Sequence, residues 1–131
     1  MTTDEKSQLT AINDAFYRSF EKRDIKTMSQ LWWQGSSCTC IHPGGNVLKG
    51  WDMIRHSWET IFKNTDYLEI DTEIINIELG QEIANIILIE KVTQINQGRR
   101  LEAQSIATNS FRKMAQKWCL VHHHGSPIMR R

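Results

Sequence analysis

Leu68-Glu69-Ile70-Asp71-Thr72-Glu73-Ile74-Ile75-Asn76-Ile77-Glu78-Leu79 decides the fold. From Leu68 to Ile74 the apolar or β-branched residues fall on even numbers. From Ile75 to Leu79 they fall on odd numbers. Side chains alternate between the two faces of a strand, so one buried face survives this switch only if one residue is absorbed near Ile74-Ile75. That is a β-bulge, and a bulge bends its strand. The stretch therefore predicts a long strand in a sharply curved sheet.

Reading outward, more strands follow. Gly80-Gln81-Glu82 and Asn96-Gln97-Gly98 are turn signals. Between them Ile83 to Ile89 is almost continuously apolar, which predicts a strand covered on both faces. Helices supply one cover, and a partner subunit is expected to supply the other. Leu101 to Phe111 is the next strand, and Ala115-Gln116-Lys117 leads to the last, from Trp118 to Pro127.

The first half reads as helices. Thr2 and Glu5 have capping-box spacing, and Leu9, Ile12, Phe16 and Phe20 recur at helical spacing. Asp24 is placed to cap a short helix with Ile25, Met28, Leu31 and Trp32 on its apolar face. Cys38 to His42 is a short strand, and Pro43-Gly44-Gly45-Asn46 a turn. Gly50 precedes a third helix with a stripe of Trp51, Ile54, Trp58, Ile61 and Phe62. Helices first and four long strands after, joined by short turns, predict an α+β fold: an antiparallel sheet wrapped over helices.

Composition narrows the function classes. The chain has 131 residues, enough for one domain with a single core. It is 40% hydrophobic and 24% charged with a net charge of +1, so a folded chain is expected. The basic doublets Lys22-Arg23, Arg99-Arg100, Arg112-Lys113 and Arg130-Arg131 are scattered, and no longer basic run makes a phosphate-binding face; no nucleic-acid partner is expected. The polar start Met1-Thr-Thr-Asp-Glu-Lys lacks a signal-peptide pattern, and no stretch is long and apolar enough to span a bilayer. A cytoplasmic protein without a membrane partner is expected. Cys38, Cys40 and Cys119 are an odd count, which argues for free thiols there. Cys38 and Cys40 share one strand face and read as small buried hydrophobes.

The last strand carries Trp118-Cys119-Leu120-Val121-His122-His123-His124-Gly125-Ser126-Pro127. Unbroken alternation puts His122 and His124 on the face of Trp118 and Leu120, and His123 on the outer face or in a dimer interface. His42 ends the first strand beside a Gly-rich turn, and Asn109 shares the parity of Ala107 and Phe111. Together these groups would line a pocket with imidazole and amide among tryptophans, fit for a small, partly apolar molecule. Histidine titrates near neutrality and passes protons, so enolisation, dehydration or aldol-type cyclisation fits. The bland alternative is that His122 and His124 bond backbone carbonyls or Thr108 and simply close the core. A zinc site from His122, His124 and His42 is a weaker third reading, because no carboxylate is placed to orient them. Asp52 and Arg55 on the third helix read as solvated charges.

Taken in order, these motifs resemble the SnoaL-like branch of the nuclear transport factor 2-like superfamily. The likeness rests on Asp24 to Trp32, Cys40-Ile41-His42-Pro43-Gly44-Gly45, Gly50 to Trp58, Ala107-Thr108-Asn109, and Trp118 through Pro127. It covers nearly all of the chain, taken as one domain over 1–131. The resemblance implies a cystatin-like cone: a curved sheet closing over helices around a pocket, with homodimers through the outer sheet face. It implies no cofactor and no single reaction, since the fold hosts isomerases, dehydratases, cyclases and non-catalytic association domains. Ketosteroid isomerase uses a Tyr with two Asp residues, and polyketide cyclases a late Asp; neither set matches positions here. The expected site is His42, His122 and His124 as acid–base groups, with Trp58, Asn109 and Trp118 binding the ligand and no metal. The alternative is a dimerising module with a vestigial pocket.

Overall fold

The computed structural model describes residues 2–129, with side chains from Asp4 onward. The proposed cap at Thr2, and Arg130-Arg131, lie outside the described side chains. The order is α1 (Thr2–Lys22), α2 (Ile25–Leu31), β1 (Thr39–Ile41), β2 (Leu48–Lys49), α3 (Trp51–Lys63), β3 (Tyr67–Leu79), β4 (Ile83–Asn96), β5 (Arg99–Met114) and β6 (Lys117–Pro127). Helices α2 and α3 begin where expected. Asp24 Oδ1 accepts the backbone N–H of Thr27 at 3.1 Å, capping α2. Gly50 enters α3 at φ +89°, a conformation that glycine adopts without strain.

The α+β architecture is as read from the sequence. One curved sheet has the order β2-β1-β6-β5-β4-β3. Its four long strands are antiparallel, and β1 joins β6 in parallel, an addition to the all-antiparallel expectation. The short β2, which the sequence did not signal, pairs with β1. The bulge in β3 is where the parity switch put it, between Ile74 and Asn76. The concave face of the sheet holds the core. Leu9 and Phe16 of α1, Met28 and Leu31 of α2, and Ile54 and Trp58 of α3 pack against Ile70, Ala84, Ile86, Leu88, Phe111 and Leu120. Burial of this set is the main stabilising term.

A second bulge was not foreseen, and it decides the site. Leu120 pairs with Phe111 and His122 with Ser110, so Val121 has no partner on β5. One extra residue flips the strand's parity. Trp118 and Leu120 face inward before the bulge, and His123 and Gly125 face inward after it.

The outer face of β4 is not covered by the described residues. Ala84, Ile86 and Leu88 are fully buried under the helices, whereas Ile83 and Ile87 are exposed on the other side. Beside Ile87, Ile89 pairs across the outer face with the exposed Ile106.

Candidate functional site

Four elements put polar groups at the centre of the concave face. Asn13 and Tyr17 are one helical turn apart on α1, on the side that carries Leu9 and Phe16. Glu90 continues the inward period-two series Ala84, Ile86, Leu88 on β4. Asn109 comes from β5 and His123 from β6, directly opposite each other in the register. All five side chains are buried.

They form one hydrogen-bonded network. Tyr17 donates its hydroxyl proton to Glu90 Oε2 at 2.6 Å. Asn109 Nδ2 donates to Asn13 Oδ1 at 2.9 Å and to the Tyr17 oxygen at 3.1 Å. Asn109 Oδ1 meets His123 Nδ1 at 2.5 Å. His123 Nε2 stands 3.9 Å from Glu90 Oε2, beyond hydrogen-bond reach but close enough to share a proton after a small movement. The wall around the imidazole is aromatic: Phe16 lies 5.1 Å and Trp58 6.0 Å from its ring centre.

Burial sets the protonation states. It pushes the Glu90 carboxyl up, against the opposing pull of the Tyr17 hydrogen bond. It pushes His123 down to about 3, helped by the neighbouring imidazoles of His42, His122 and His124. Tyr17 is held well above the ordinary phenol range by burial first and by the Glu90 charge second. A carboxyl raised and an imidazole lowered by the same burial, beside a protonated phenol, are the opposed shifts that mark a buried acid–base pair.

His42 completes the interior. Its ring packs edge-on to Trp58 at 4.7 Å, and its Nε2 lies 2.9 Å from Ser57 Oγ. Ser57 gives its own proton to the carbonyl of Ile54, so His42 Nε2–H is the donor. Burial lowers the basicity of this imidazole too. Cys38 and Cys40 are buried free thiols, as read, and burial pushes Cys40 up to about 12.

The expected trio of histidines is therefore not brought together. His122 and His124 do not face inward, because the bulge at Val121 reverses their parity. His122 is half-buried on the outer face with Nδ1 2.7 Å from Thr39 Oγ1, and His124 beside it is exposed. Thr108 and the backbone carbonyls are not their partners among the described hydrogen bonds. His123, assigned to the outside, is the imidazole within. With His42 inside and the other two outside, the three cannot share a metal. No cluster of three or more metal-ligating side chains occurs among the described residues. Trp58 and Asn109 do join the site. Trp118 faces inward farther along, opposite Lys113, whose ammonium sits 5.5 Å from its ring centre. Trp58 and Trp118 both bury an indole N–H with no partner.

Tyr17, Glu90 and Asn13 were missed in the sequence. Their signals were present: Asn13 and Tyr17 sit at i, i+4 on the buried side of α1, and Glu90 follows Ala84, Ile86 and Leu88 at period two, one residue past the apolar run that ends at Ile89.

The site is enclosed rather than open. Depressions of 650, 460 and 320 Å³ lie elsewhere, along Lys91, Gln104 and Pro127, around Gly35 and Trp51, and between α1 and Asp24. Gly125 lies between the Pro43 ring and the Glu90 carboxyl. A β-carbon there would come within 3.0 Å of the Pro43 ring and 3.8 Å of Glu90 Oε1.

Comparison with known proteins adds three findings. A family profile described as a SnoaL-like domain matches residues 9–130. Among solved structures, a candidate dehydratase of the nuclear transport factor 2-like family from Streptomyces avermitilis is 25% identical. It superposes with a TM-score of 0.92, covering 99% of this chain and all of its own. A candidate calcium/calmodulin-dependent protein kinase type II association domain from Thiobacillus denitrificans is 27% identical. Its TM-score is 0.83, over 92% of this chain and 94% of its own. Among curated proteins, an F-box protein of Arabidopsis thaliana, SKIP8, is 22% identical over 121 residues, 92% of this chain. The chain spans about half the length of that relative.

Proposed function

Because the chain belongs to the SnoaL-like domain family, we propose that it handles a small, partly apolar molecule by cofactor-free acid–base chemistry at Tyr17, Glu90 and His123. The carrying observation is the buried network itself. Two ionisable groups with oppositely shifted basicities face each other at 3.9 Å. Such pairs cluster at functional sites, because a core built for stability alone would avoid them. The unpartnered indole N–H of Trp58 beside the network is a donor that a ligand carbonyl would satisfy.

Isomerase, dehydratase and cyclase chemistry all begin by moving a proton next to a carbonyl. Dehydration is favoured by the Streptomyces relative. His123 Nε2 takes the proton from the carbon next to the carbonyl, and Glu90 gives its proton to the departing hydroxyl oxygen. The C–O bond breaks, the C=C bond forms and water leaves. His123 then returns its proton to Glu90, and the pair is restored. Entry requires the Pro43–Gly44–Gly45 turn to swing away from Gly125.

The test is proton exchange in D2O, followed by ¹H NMR over a panel of small ketones and β-hydroxy ketones. Exchange or water loss above the buffer rate, abolished by Glu90→Gln, supports the reading. Buffer-rate exchange across the panel, with no retained ligand in native mass spectrometry, overturns it.

The enclosure of the site favours a second reading, a non-catalytic association module with a residual interior, and the Thiobacillus relative is described as an association domain. Both readings include a homodimer. The outer isoleucines Ile87, Ile89 and Ile106 support its formation through the convex sheet face. No described helix is long and apolar enough to cross a membrane. The unpaired thiols support a reducing compartment, the cytoplasm, and the chain is taken as one such domain over 1–131.

A further inference from the structure

The hydrogen bonds of the network fix the ring form of His123 as well as its position. Tyr17 has one proton, and it goes to Glu90 Oε2 at 2.6 Å, so the proton that Glu90 gives in the acid–base reading sits on Oε1. The Tyr17 oxygen must therefore accept at its other short contact, from Asn109 at 3.1 Å, and an acceptor there requires the amide nitrogen of Asn109. The second proton of that nitrogen goes to Asn13 Oδ1 at 2.9 Å. Both amide protons are now spent, and only Oδ1 is left to face His123 Nδ1 at 2.5 Å. An amide oxygen only accepts, so His123 Nδ1 must carry the ring proton. Nε2 is then a bare lone pair, and it is the atom nearest Glu90.

We propose that Asn109, anchored by Asn13, is a positioning residue that locks His123 in the Nδ1–H form and so keeps Nε2 free as the proton acceptor facing Glu90. This deepens the acid–base reading above, on which its functional meaning rests. The opposite ring form would aim an N–H at Glu90 and leave nothing there to take a proton from a substrate. The outer histidine shows the contrast. His122 Nδ1 meets the hydroxyl of Thr39, which donates or accepts equally well and imposes no ring form.

The test reads the ring directly and needs no turnover. In protein labelled with ¹⁵N-histidine, long-range ¹H–¹⁵N spectra at pH 7 distinguish a protonated from a bare ring nitrogen. Wild-type His123 is expected as a single form, with Nδ1 protonated and Nε2 bare. Asn109→Ala removes the acceptor, and most of the population is expected to move to Nε2–H, which a small movement brings from 3.9 Å into hydrogen-bond reach of Glu90 Oε2. Asn109→Asp keeps an oxygen and is expected to keep Nδ1–H. Asn13→Ala frees one amide proton, so that Asn109 turns over in part and a minor Nε2–H population appears. His122 resonances should hold still throughout. A wild-type His123 that is Nε2–H or doubly protonated at pH 7 overturns the proposal, and so does an unchanged ring form in folded Asn109→Ala. If Asn109→Ala does not fold, Asn13→Ala decides in its place, and the complete absence of Nε2–H in it overturns the anchoring. A locked ring in a protein without proton-exchange activity would leave this inference standing and sink the catalytic reading alone.

Discussion

His123 is 1% exposed between Asn109 and Glu90, whereas His122, one residue earlier, sits half out of the convex face against a threonine hydroxyl. The two side chains share a strand and a residue type. One is bonded on a charged-to-neutral network between four elements, and the other on a single surface contact. The difference comes from Val121, the unpaired residue of the bulge. A strand can therefore exchange its inner and outer sets within one step, and chemistry assigned by alternation goes to the wrong residues downstream of that step.

The comparison predicts its largest effect at the inner imidazole. His123→Ala leaves a cavity ringed by Phe16 and Trp58 and strips Asn109 Oδ1 of its donor. The cavity and the unpaired acceptor together are expected to cost about 3–5 kcal/mol in urea unfolding. A loss under about 1 kcal/mol would show that the network adds nothing to the core, and the contrast between faces would fail.

The convex face gives the next effect. Ile87 is 36% exposed in a row with Ile89 and Ile106, and the proposed dimer covers it. Burying one isoleucine is worth about 1.5–3 kcal/mol, and a two-fold interface uses each position twice. Ile87→Lys should weaken self-association at least about tenfold in sedimentation equilibrium, with unchanged helical signal. A wild-type chain that stays monomeric at high concentration would remove the partner from this face.

How far the sequence carried is uneven, for physical reasons. The β3 bulge was readable because both sides of the parity switch are apolar, so Ile74-Ile75 betrayed the extra residue. The β6 bulge was hidden, because histidines fit either face and Val121 suits a strand anywhere. Apolar helical spacing located α1 and α3, but counting only apolar residues hid Asn13 and Tyr17, which lie on the buried side. Glu90 was passed over because a carboxylate is a solvated residue by default. Its burial follows from partners on α1 and β6, 73 residues away in the case of Tyr17. Elements are written locally in the chain, whereas the site is a meeting of distant positions.

The inner pair should also give stability an unusual pH profile. Glu90, with its carboxyl raised, stabilises the fold fully below about pH 4.5, and this contribution fades as pH rises through the raised value. His123, lowered to about 3, contributes fully above about pH 6.5 and fades as pH falls. Between those limits the two trends oppose. Glu90→Gln removes the first, so acidification from pH 6.5 to 4.5 should lower the urea midpoint more steeply than in wild type. Equal slopes would mean that Glu90 titrates as a solvated carboxyl.

The smallest effect is expected one residue from the largest. His122→Ala removes one contact, with Thr39, whose half-exposed hydroxyl keeps access to water. A hydrogen bond exchanged for water is worth about 0.5–1.5 kcal/mol net, and partial exposure puts this one at the lower end. Urea unfolding should therefore shift by under about 1 kcal/mol, and the loss of stability on acidification below about pH 6.5 should become slightly shallower, the direction opposite to Glu90→Gln. Burial lowers the His122 imidazole, with His124 assisting, so the residue is neutral at pH 7 and its loss removes no charge from the outer face. If His122→Ala instead steepened that loss as Glu90→Gln does, the outer histidine would be coupled to the inner pair through Cys40 and Thr39 of β1. The two faces of β6 would then have to be treated as one titrating unit.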